Sequence, residues 1–217
     1  MSEERTSVRQ GSRAPLRGTR ILLARHGQTE WNAIRRFQGS SDVGLSALGR
    51  WQAEALARAM RDRHLVAVYS SPLRRAVETA APAVTGRPVA LSIVPELTEL
   101  GLGEWEGRTV DEVCALTGDP YRRWLAAPLD CAPPGSESLL SVCERVQAAI
   151  ERIRFAHGPE PDGDVLIVAH GGVISIYACH LLGLSLNALW RLRVDNASIT
   201  TVAPPRVISL NDTSHLT

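Results

Sequence analysis

ILLARHG at residues 21–27 and VLIVAHGG at residues 165–172 share one form, an apolar run that ends in histidine and glycine. Short continuous apolar runs are typical of strands that are buried on both faces of a parallel sheet. Ligands of such sheets bind at the carboxyl ends of the strands. If the two strands are neighbours, His26 and His170 therefore meet in one crevice, with Arg25 beside them.

The rest of the chain continues this alternation of strand and helix. Ser46 and Ser71 predict helix N-caps, the second because Pro72 suits the first position of a helix. The pattern predicts an α/β fold, a three-layer sandwich in which helices flank a mostly parallel central sheet. The predicted strands lie at 20–24, 65–69, 89–94, 164–169 and 198–202, and the predicted helices at 46–63, 72–84, 138–156 and 172–182.

Length and composition predict a single domain. A chain of 217 residues with 44% hydrophobic residues is long enough for one sizeable core, which we place at residues 19–217. Residues 1–18 contain no apolar segment of signal-peptide length, and we expect a flexible tail on a cytoplasmic protein that does not bind membranes. Residues 100–137, broken by glycines and prolines, predict a short cap insertion over the end of the sheet.

Charge and cysteine content narrow the classes of ligand. The formal net charge of +1 argues against nucleic acid as a partner, because proteins that bind it present a strong basic field. Any bound anion must therefore be held by a local group of charges. The four cysteines are too widely spaced for a zinc site, and we expect neither a metal nor a cofactor.

Five separated blocks of sequence resemble the histidine phosphatase superfamily, also called the phosphoglycerate mutase-like family. The resemblance extends from about residue 20 to the carboxyl terminus, and it implies an α/β phosphotransfer fold. The blocks are LLARHGQTEWN (22–32), FQGSSDVGLSALG (37–49), YSSPLRRAVETA (69–80), LTELGLGEWEG (97–107) and VAHGGVI (168–174).

The resemblance implies a role for each matching residue. His26 corresponds to the nucleophile that becomes phosphorylated, and Arg25 and Arg75 correspond to the arginines that clamp the phosphate. His170 corresponds to a second histidine of the pocket, and Glu99 to the proton donor of the phosphatase branch. The positions that correspond to substrate or phosphate binding are Asn32, Gln38 and Gly171.

Arginine and histidine suit this chemistry for physical reasons. Phosphoryl transfer spreads negative charge over three equatorial oxygens, which planar guanidinium forks bind better than a lysine can. Nearby guanidinium charge also disfavours imidazolium, so we expect the pKa of His26 to lie below its usual value. Arg74 precedes Arg75, and we assign the phosphate to Arg75 because the RAVETA block begins there.

Within the family, the sequence favours a phosphatase over a mutase. Similar mutases usually carry a longer insertion after the glutamate and an asparagine after the second His-Gly, whereas this chain reads Gly-Gly-Val. The resemblance therefore implies a metal-independent phosphomonoesterase that hydrolyses a small phosphorylated metabolite through a phosphohistidine. Its nearest kinds are the broad-specificity and α-ribazole phosphatases.

Two alternatives to this phosphatase are a cofactor-dependent phosphoglycerate mutase and a non-catalytic module that binds a phosphorylated ligand or a partner protein. The non-catalytic module predicts the loss of at least one residue of the catalytic set. All five are present: Arg25, His26, Arg75, Glu99 and His170. We expect the protein to be a monomer or a homodimer.

Overall fold

A six-stranded sheet forms the centre of the computed structural model, which describes residues 20–158 and 163–217. The predicted tail at residues 1–18 lies outside the described residues. Within the described chain, the strands are β1 (Arg20–Arg25), β2 (Leu65–Ser70), β3 (Leu91–Ile93), β4 (Asp164–Ala169), β5 (Ile199–Ala203) and β6 (Arg206–Asp212).

The strands follow the order β3-β2-β4-β1-β5-β6, and their directions confirm the predicted mostly parallel sheet. β1 pairs in parallel with β4, β4 with β2 and β2 with β3, whereas β5 is antiparallel to both of its neighbours. The register sets Arg25 opposite Ala169 and Ser70 opposite Val168. The carboxyl ends of β1, β2 and β4 therefore lie at one edge, together with the start of β5.

Helices cover both faces of this sheet, which confirms the three-layer architecture. The helices of the described residues are α1 (Glu30–Ala33), α2 (Ala47–Ala59), α3 (Arg74–Val84), α4 (Val110–Cys114), α5 (Pro120–Ala126), α6 (Leu139–Ala156) and α7 (Gly171–Leu182). α2 and α3 pack on one face of the sheet, and α6 and α7 on the other. None of these described helices is both long enough and apolar enough to cross a membrane. Short 3-10 helices lie at Pro95–Leu97, Gly103–Trp105, Leu186–Arg191 and Ser214–Leu216.

β1 illustrates how the apolar run builds the two layers of the core. Ile21 and Leu23 belong to the core beneath α6 and α7, while Leu22 and Ala24 belong to the core beneath α2 and α3. These side chains are almost completely buried. Burying one leucine or isoleucine side chain stabilises the fold by about 1.5–3 kcal/mol. β1 is therefore held on both faces, and the residues that follow it have a rigid support.

Two helix starts differ in how well they match the predicted N-caps. Ser46 is the N-cap of α2 as predicted, and its hydroxyl accepts a hydrogen bond from the Gly49 amide at 3.0 Å. The prediction for Ser71 is wrong, because α3 begins only at Arg74. The Ser71 hydroxyl instead lies 2.7 Å from Nε2 of His170, a contact that links two strand ends.

Other differences between prediction and structure concern element ends and exposed elements. The third strand is Leu91–Ile93 rather than 89–94, and the helix predicted at 46–63 ends at Ala59. The sequence did not predict β6, because this edge strand is partly exposed along its length and lacks a buried apolar run. The short α1 was not predicted either, since none of its residues is buried.

Residues 100–137, which we call the cap segment, contain a 3-10 helix, α4 and α5. Aromatic rings connect this segment to neighbouring parts of the chain. The Trp124 ring centroid lies 4.4 Å from that of Trp190, and the Trp105 centroid lies 5.3 Å from that of Phe37. Trp105 and Trp124 are both buried, so ring packing fixes the position of the segment.

Candidate active site

His26 follows the last residue of β1, and its backbone is bonded on both sides. Its amide donates to the Ala169 carbonyl at 2.9 Å, and its carbonyl accepts from the Ala197 amide at 3.1 Å. Nδ2 of Asn196 donates to the same carbonyl at 3.1 Å. The imidazole is therefore carried by a short, fully bonded piece of main chain at the edge of the sheet.

The ring of His26 has a defined tautomer. Nδ1 lies 2.7 Å from the carbonyl oxygen of Gly27, which can only accept a hydrogen bond. The contact assigns the hydrogen to Nδ1 and leaves a lone pair on Nε2. Burial lowers the pKa of His26 well below its usual value of 6.5, and the charges of Arg25 and Arg75 lower it further. The predicted direction of this pKa shift is confirmed.

His170 meets His26 as the strand pattern predicted. Their ring centroids are 5.2 Å apart, and the ring planes are tilted by 57°. His170 is fully buried and is not among the residues that line the cavity described below. Burial lowers the pKa of His170, and the charge of Arg75 adds to this effect. Its Nδ1 has no hydrogen-bond partner within the described chain.

Arg25 and Arg75 are held by backbone carbonyls. Nη1 of Arg25 donates to the Val194 carbonyl at 2.6 Å. Nη1 and Nη2 of Arg75 donate to the carbonyls of Ser41 at 2.7 Å and Gly39 at 2.8 Å. The buried Nε of each arginine lacks a partner among the residues described. Both guanidiniums are thus oriented by the main chain while a donor stays free for an anion.

The structure separates Arg75 from its neighbour Arg74. Arg75 is fully buried, whereas the side chain of Arg74 is 65% exposed and forms an ion pair with Glu78. Burial lowers the pKa of Arg75 to about 10, against the opposing influence of Glu99 and Asp42. Arg75 is still a cation at neutral pH. The assignment of the cavity position to Arg75 rather than Arg74 agrees with this geometry.

Glu99 lies against the amino terminus of α7. Its carboxylate accepts hydrogen bonds from the amides of Gly172 at 3.1 Å, Val173 at 3.3 Å and Leu100 at 2.9 Å. A Cβ atom at position 172 would come 2.6 Å from the Glu99 Oε1 atom, so a larger residue there would displace the Glu99 carboxylate. These amides fix the direction of the carboxylate on the cavity wall.

Arg145 fixes the main chain that carries Glu99. Its Nη1 donates to the carbonyl oxygens of Glu96 at 2.6 Å and Thr98 at 2.8 Å. The guanidinium also forms an ion pair with Glu137 at 2.8 Å. Glu99 is thereby positioned through both its backbone and its carboxylate.

Asn32, Gln38 and Gly171 all line the cavity. Oδ1 of Asn32 accepts from the Thr29 amide at 3.0 Å in the capping box of α1, which leaves the amide nitrogen for a ligand. Gln38 is buried, and its Oε1 has no partner within residues 20–158 and 163–217. A Cβ atom at position 171 would approach Nε of Arg25 to 3.3 Å, so glycine keeps that donor accessible.

These side chains surround a cavity of about 320 Å³. Three guanidiniums, from Arg25, Arg36 and Arg75, face one carboxylate, that of Glu99, on its wall. Arg36 lines the cavity, whereas the adjacent arginine in the sequence, Arg35, does not. No group of three or more histidine, cysteine or acidic residues is arranged to hold a metal in the part of the chain that the structure describes. The site suits a small anion with an apolar body.

Sequence reasoning missed several residues of this site, among them Ser71, Thr79, Asn196 and Trp190. Ser71 contacts His170, and the Thr79 hydroxyl accepts from the Gly27 amide at 2.9 Å. Asn196 donates to the His26 carbonyl, and Trp190 lines the cavity. Ser71 follows a predicted strand, so the strand-end rule could have found it. Asn196 precedes β5, whose antiparallel direction no sequence pattern revealed.

Comparison with known proteins agrees with this geometry. A family model described as histidine phosphatase superfamily (branch 1) matches residues 21–206. Phosphoserine phosphatase 1 of Hydrogenobacter thermophilus is 33% identical over 201 residues, 91% of this chain and 94% of the relative.

Two solved structures resemble the chain over most of its length. Bacillus stearothermophilus YhfR superposes with a TM-score of 0.84 at 33% identity, covering 92% of this chain and 100% of that one. Mycobacterial glucosyl-3-phosphoglycerate phosphatase in complex with VO3 has a TM-score of 0.82 at 33% identity, covering 90% and 100%. The chain therefore belongs to the histidine phosphatase superfamily, branch 1.

Proposed function

We propose that this chain hydrolyses phosphomonoesters of small metabolites, with His26 as the nucleophile. The observation that carries the proposal is the state of His26: its Nε2 lone pair is free, and its pKa is lowered by burial and by two arginines. Such an imidazole is unprotonated and reactive at neutral pH. The oriented arginines beside it match the charge that develops on a transferred phosphoryl group.

In the first step, Nε2 of His26 attacks phosphorus and the bond from phosphorus to the ester oxygen breaks. Glu99 in its protonated form gives its proton to the leaving alkoxide, which departs as the alcohol. In the second step, Glu99 takes a proton from water, the water oxygen bonds to phosphorus, and the bond from phosphorus to nitrogen breaks. Inorganic phosphate is released, and both residues return to their starting forms.

The remaining side chains act on the phosphoryl group. We assign its oxygens to the free donors of Arg25 and Arg75, with the Asn32 amide as a further donor. His170 packs against His26 but does not line the cavity, so we assign it a positioning role beside the nucleophile. Gln38 and Gly171 border the same end of the cavity.

Neither a metal nor a cofactor takes part in this proposal, because the guanidiniums supply the positive charge. The relatives are named for phosphoserine and glucosyl-3-phosphoglycerate, which supports a small phosphorylated metabolite as the substrate class. We place the reaction in the cytoplasm, since the four cysteines are free thiols of the kind that reducing compartments maintain.

The test is release of phosphate from p-nitrophenyl phosphate with EDTA present, combined with rapid quenching to trap acid-labile phosphate on the protein. We expect turnover and labelling in the parent, and neither in His26→Ala. His180→Ala is the matched control, because His180 is exposed on α7, away from the cavity wall. Equal labelling of parent and His26→Ala would contradict the nucleophile.

Two other outcomes would change the assignment. Loss of activity in EDTA that added metal restores would replace the proposed mechanism by a metal-dependent one. Dependence on a bisphosphoglycerate, with transfer to phosphoglycerate in place of release of phosphate, would indicate a mutase.

A further inference from the structure

The two ends of the cavity differ in chemistry. The phosphate end holds Arg25, His26, Arg75 and Glu99. The other end, which we call the apolar end, is lined by Phe37, Tyr121, Trp124, Leu125, Trp190 and Leu192. Its apolar lining suits the part of the substrate that leaves with the ester oxygen.

Ring packing makes the apolar end a preformed surface. Trp124 is 4% exposed, and its ring centroid lies 4.4 Å from that of Trp190 and 6.1 Å from that of Phe37. The Tyr121 centroid lies 5.8 Å from that of Phe37. Ring packing holds Trp124 in place, and the partly exposed rings of Phe37, Tyr121 and Trp190 offer apolar area to a ligand.

One polar atom at this end has no partner. Nε1 of Trp190 is buried and has no hydrogen-bond acceptor among the residues that are described. Buried indole N–H groups nearly always have an acceptor. Trp190 lines the cavity, but its Nε1 has almost no accessible surface, so a ligand acceptor reaches this atom only where a neighbouring side chain gives way.

The wall that the described residues form offers no free carboxylate to the ammonium group of a small zwitterionic leaving group. Glu99 is the one carboxylate on the wall, and its oxygens already accept three amide hydrogen bonds at the phosphate end. An ammonium group at the apolar end would lose its water without gaining a partner, which is unfavourable. A leaving group such as serine therefore fits this wall poorly.

We propose that the preferred substrates are phosphomonoesters whose alcohol carries an apolar ring and a hydrogen-bond acceptor. The ring packs on Phe37, Tyr121 and Leu125, and the acceptor bonds to Nε1 of Trp190. This inference rests on the proposed phosphatase activity and adds the chemical class of the leaving group.

The experiment compares alkyl phosphates whose leaving alcohols have matched reactivity. Butyl, 4-phenylbutyl and 4-oxo-4-phenylbutyl phosphate are all esters of primary alcohols, so differences in kcat/KM report contacts with the wall. We expect 4-phenylbutyl phosphate to exceed butyl phosphate by about 10- to 200-fold, in the range of hydrophobic pocket discrimination. The ketone should add a further factor of about 10 through Trp190. Phosphoserine should rank with butyl phosphate or below it.

Variants separate the two contacts. Trp190→Phe keeps the ring and removes the N–H, so it should abolish the advantage of the ketone and retain that of the phenyl group. Leu125→Asn makes the wall polar at a residue that is 39% exposed, and it should lower the ratio of kcat/KM between 4-phenylbutyl and butyl phosphate. Leu182→Asn, at an exposed leucine outside the cavity, is the matched control.

Each outcome has a distinct meaning. Turnover of p-nitrophenyl phosphate with equal kcat/KM for butyl and 4-phenylbutyl phosphate would overturn this inference and leave the phosphatase proposal intact. A preference for phosphoserine over 4-phenylbutyl phosphate would do the same. A ketone advantage that survives in Trp190→Phe would overturn the assigned acceptor contact. Failure to hydrolyse p-nitrophenyl phosphate and every alkyl ester would overturn the proposed function itself.

Discussion

The phosphate end of the cavity lies on its sheet side, and the apolar end lies on its cap side. These two sides are built by different means. On the sheet side, main-chain carbonyls orient Arg25, His26 and Arg75 at distances of 2.6–2.8 Å. On the cap side, Trp124 and its neighbours are held by ring packing. Electrostatic stabilisation of a transition state requires fixed directions, whereas an apolar wall requires only shape. Sheet-side changes should therefore alter kcat, and cap-side changes should alter selectivity.

The largest expected effect is that of Glu99→Gln. Loss of general acid and base assistance should lower kcat by about 10²- to 10⁴-fold for alkyl phosphates. The loss should be much smaller for p-nitrophenyl phosphate, because its leaving group needs little protonation. Steady-state kinetics on both substrates measure the difference. Equal losses on both would remove Glu99 from the acid role and make it a structural residue of the sheet side.

Arg75→Lys should have the next largest effect. A lysine cannot bond the carbonyls of Ser41 and Gly39 and an anion at once, so kcat/KM should fall by about 10²- to 10³-fold. Arg74→Lys is the matched control, since that side chain lies on the surface and should tolerate the change. Similar losses in the two variants would mean that Arg75 is not bound to substrate.

Glu106 belongs to the cap segment, but its carboxylate supports the sheet side of the cavity. Its carboxylate accepts from the Ser40 and Leu102 amides, both at 2.9 Å, and from the Ser41 hydroxyl at 3.1 Å. Desolvation by burial raises the pKa of Glu106, but these hydrogen bonds together outweigh it and lower the pKa. Glu106 thereby fixes the loop whose carbonyls orient Arg75.

Glu106→Gln replaces one acceptor oxygen by a donor and should loosen that loop. We expect kcat to fall by about 10-fold through misplacement of Arg75, while the ratio of kcat/KM between 4-phenylbutyl and butyl phosphate stays constant. Glu104→Gln, at an exposed neighbouring residue, is the control. A change in that ratio would show that Glu106 acts on the cap side instead.

The smallest expected effect is a shift in pH dependence. The neutral form of His26 reacts, and its pKa lies below 6.5, so its reactivity should persist below that pH and decline only as the ring protonates. Arg75→Gln removes a neighbouring positive charge, which should raise this pKa and move the acid limb of kcat/KM to higher pH. Arg75→Lys keeps the charge and should leave the limb in place. All variants are compared on the same substrate, so the ionisation of the substrate contributes equally to every pH profile.

The sequence predicted the sheet side well because repeating geometry controls it. Apolar runs that end in His-Gly placed His26 and His170 at neighbouring strand ends, and the register of β1 with β4 confirms it. The depth of His170 was beyond a strand pattern, because the position of the cavity wall depends on side chains from several elements. Its complete burial emerges only from the packed structure.

The cap side was less predictable because it has no repeating pattern. Trp124 and Trp190 are 66 positions apart in the sequence, and nothing local to either residue indicates their contact. The failed N-cap at Ser71 has a related cause: His170, distant in the chain, engages its hydroxyl. Local propensity is overridden where a distant partner takes the same polar atom.

The central place of β1 in the sheet has a consequence for inactivation. β1 is bonded to β4 on one side and to β5 on the other, so its amides should exchange with deuterium only when the whole domain opens. His26 is attached directly to this slowly exchanging strand. We expect heat to abolish turnover and melt the domain at one common midpoint, whereas loosening of the cap segment should relax substrate preference at lower temperatures.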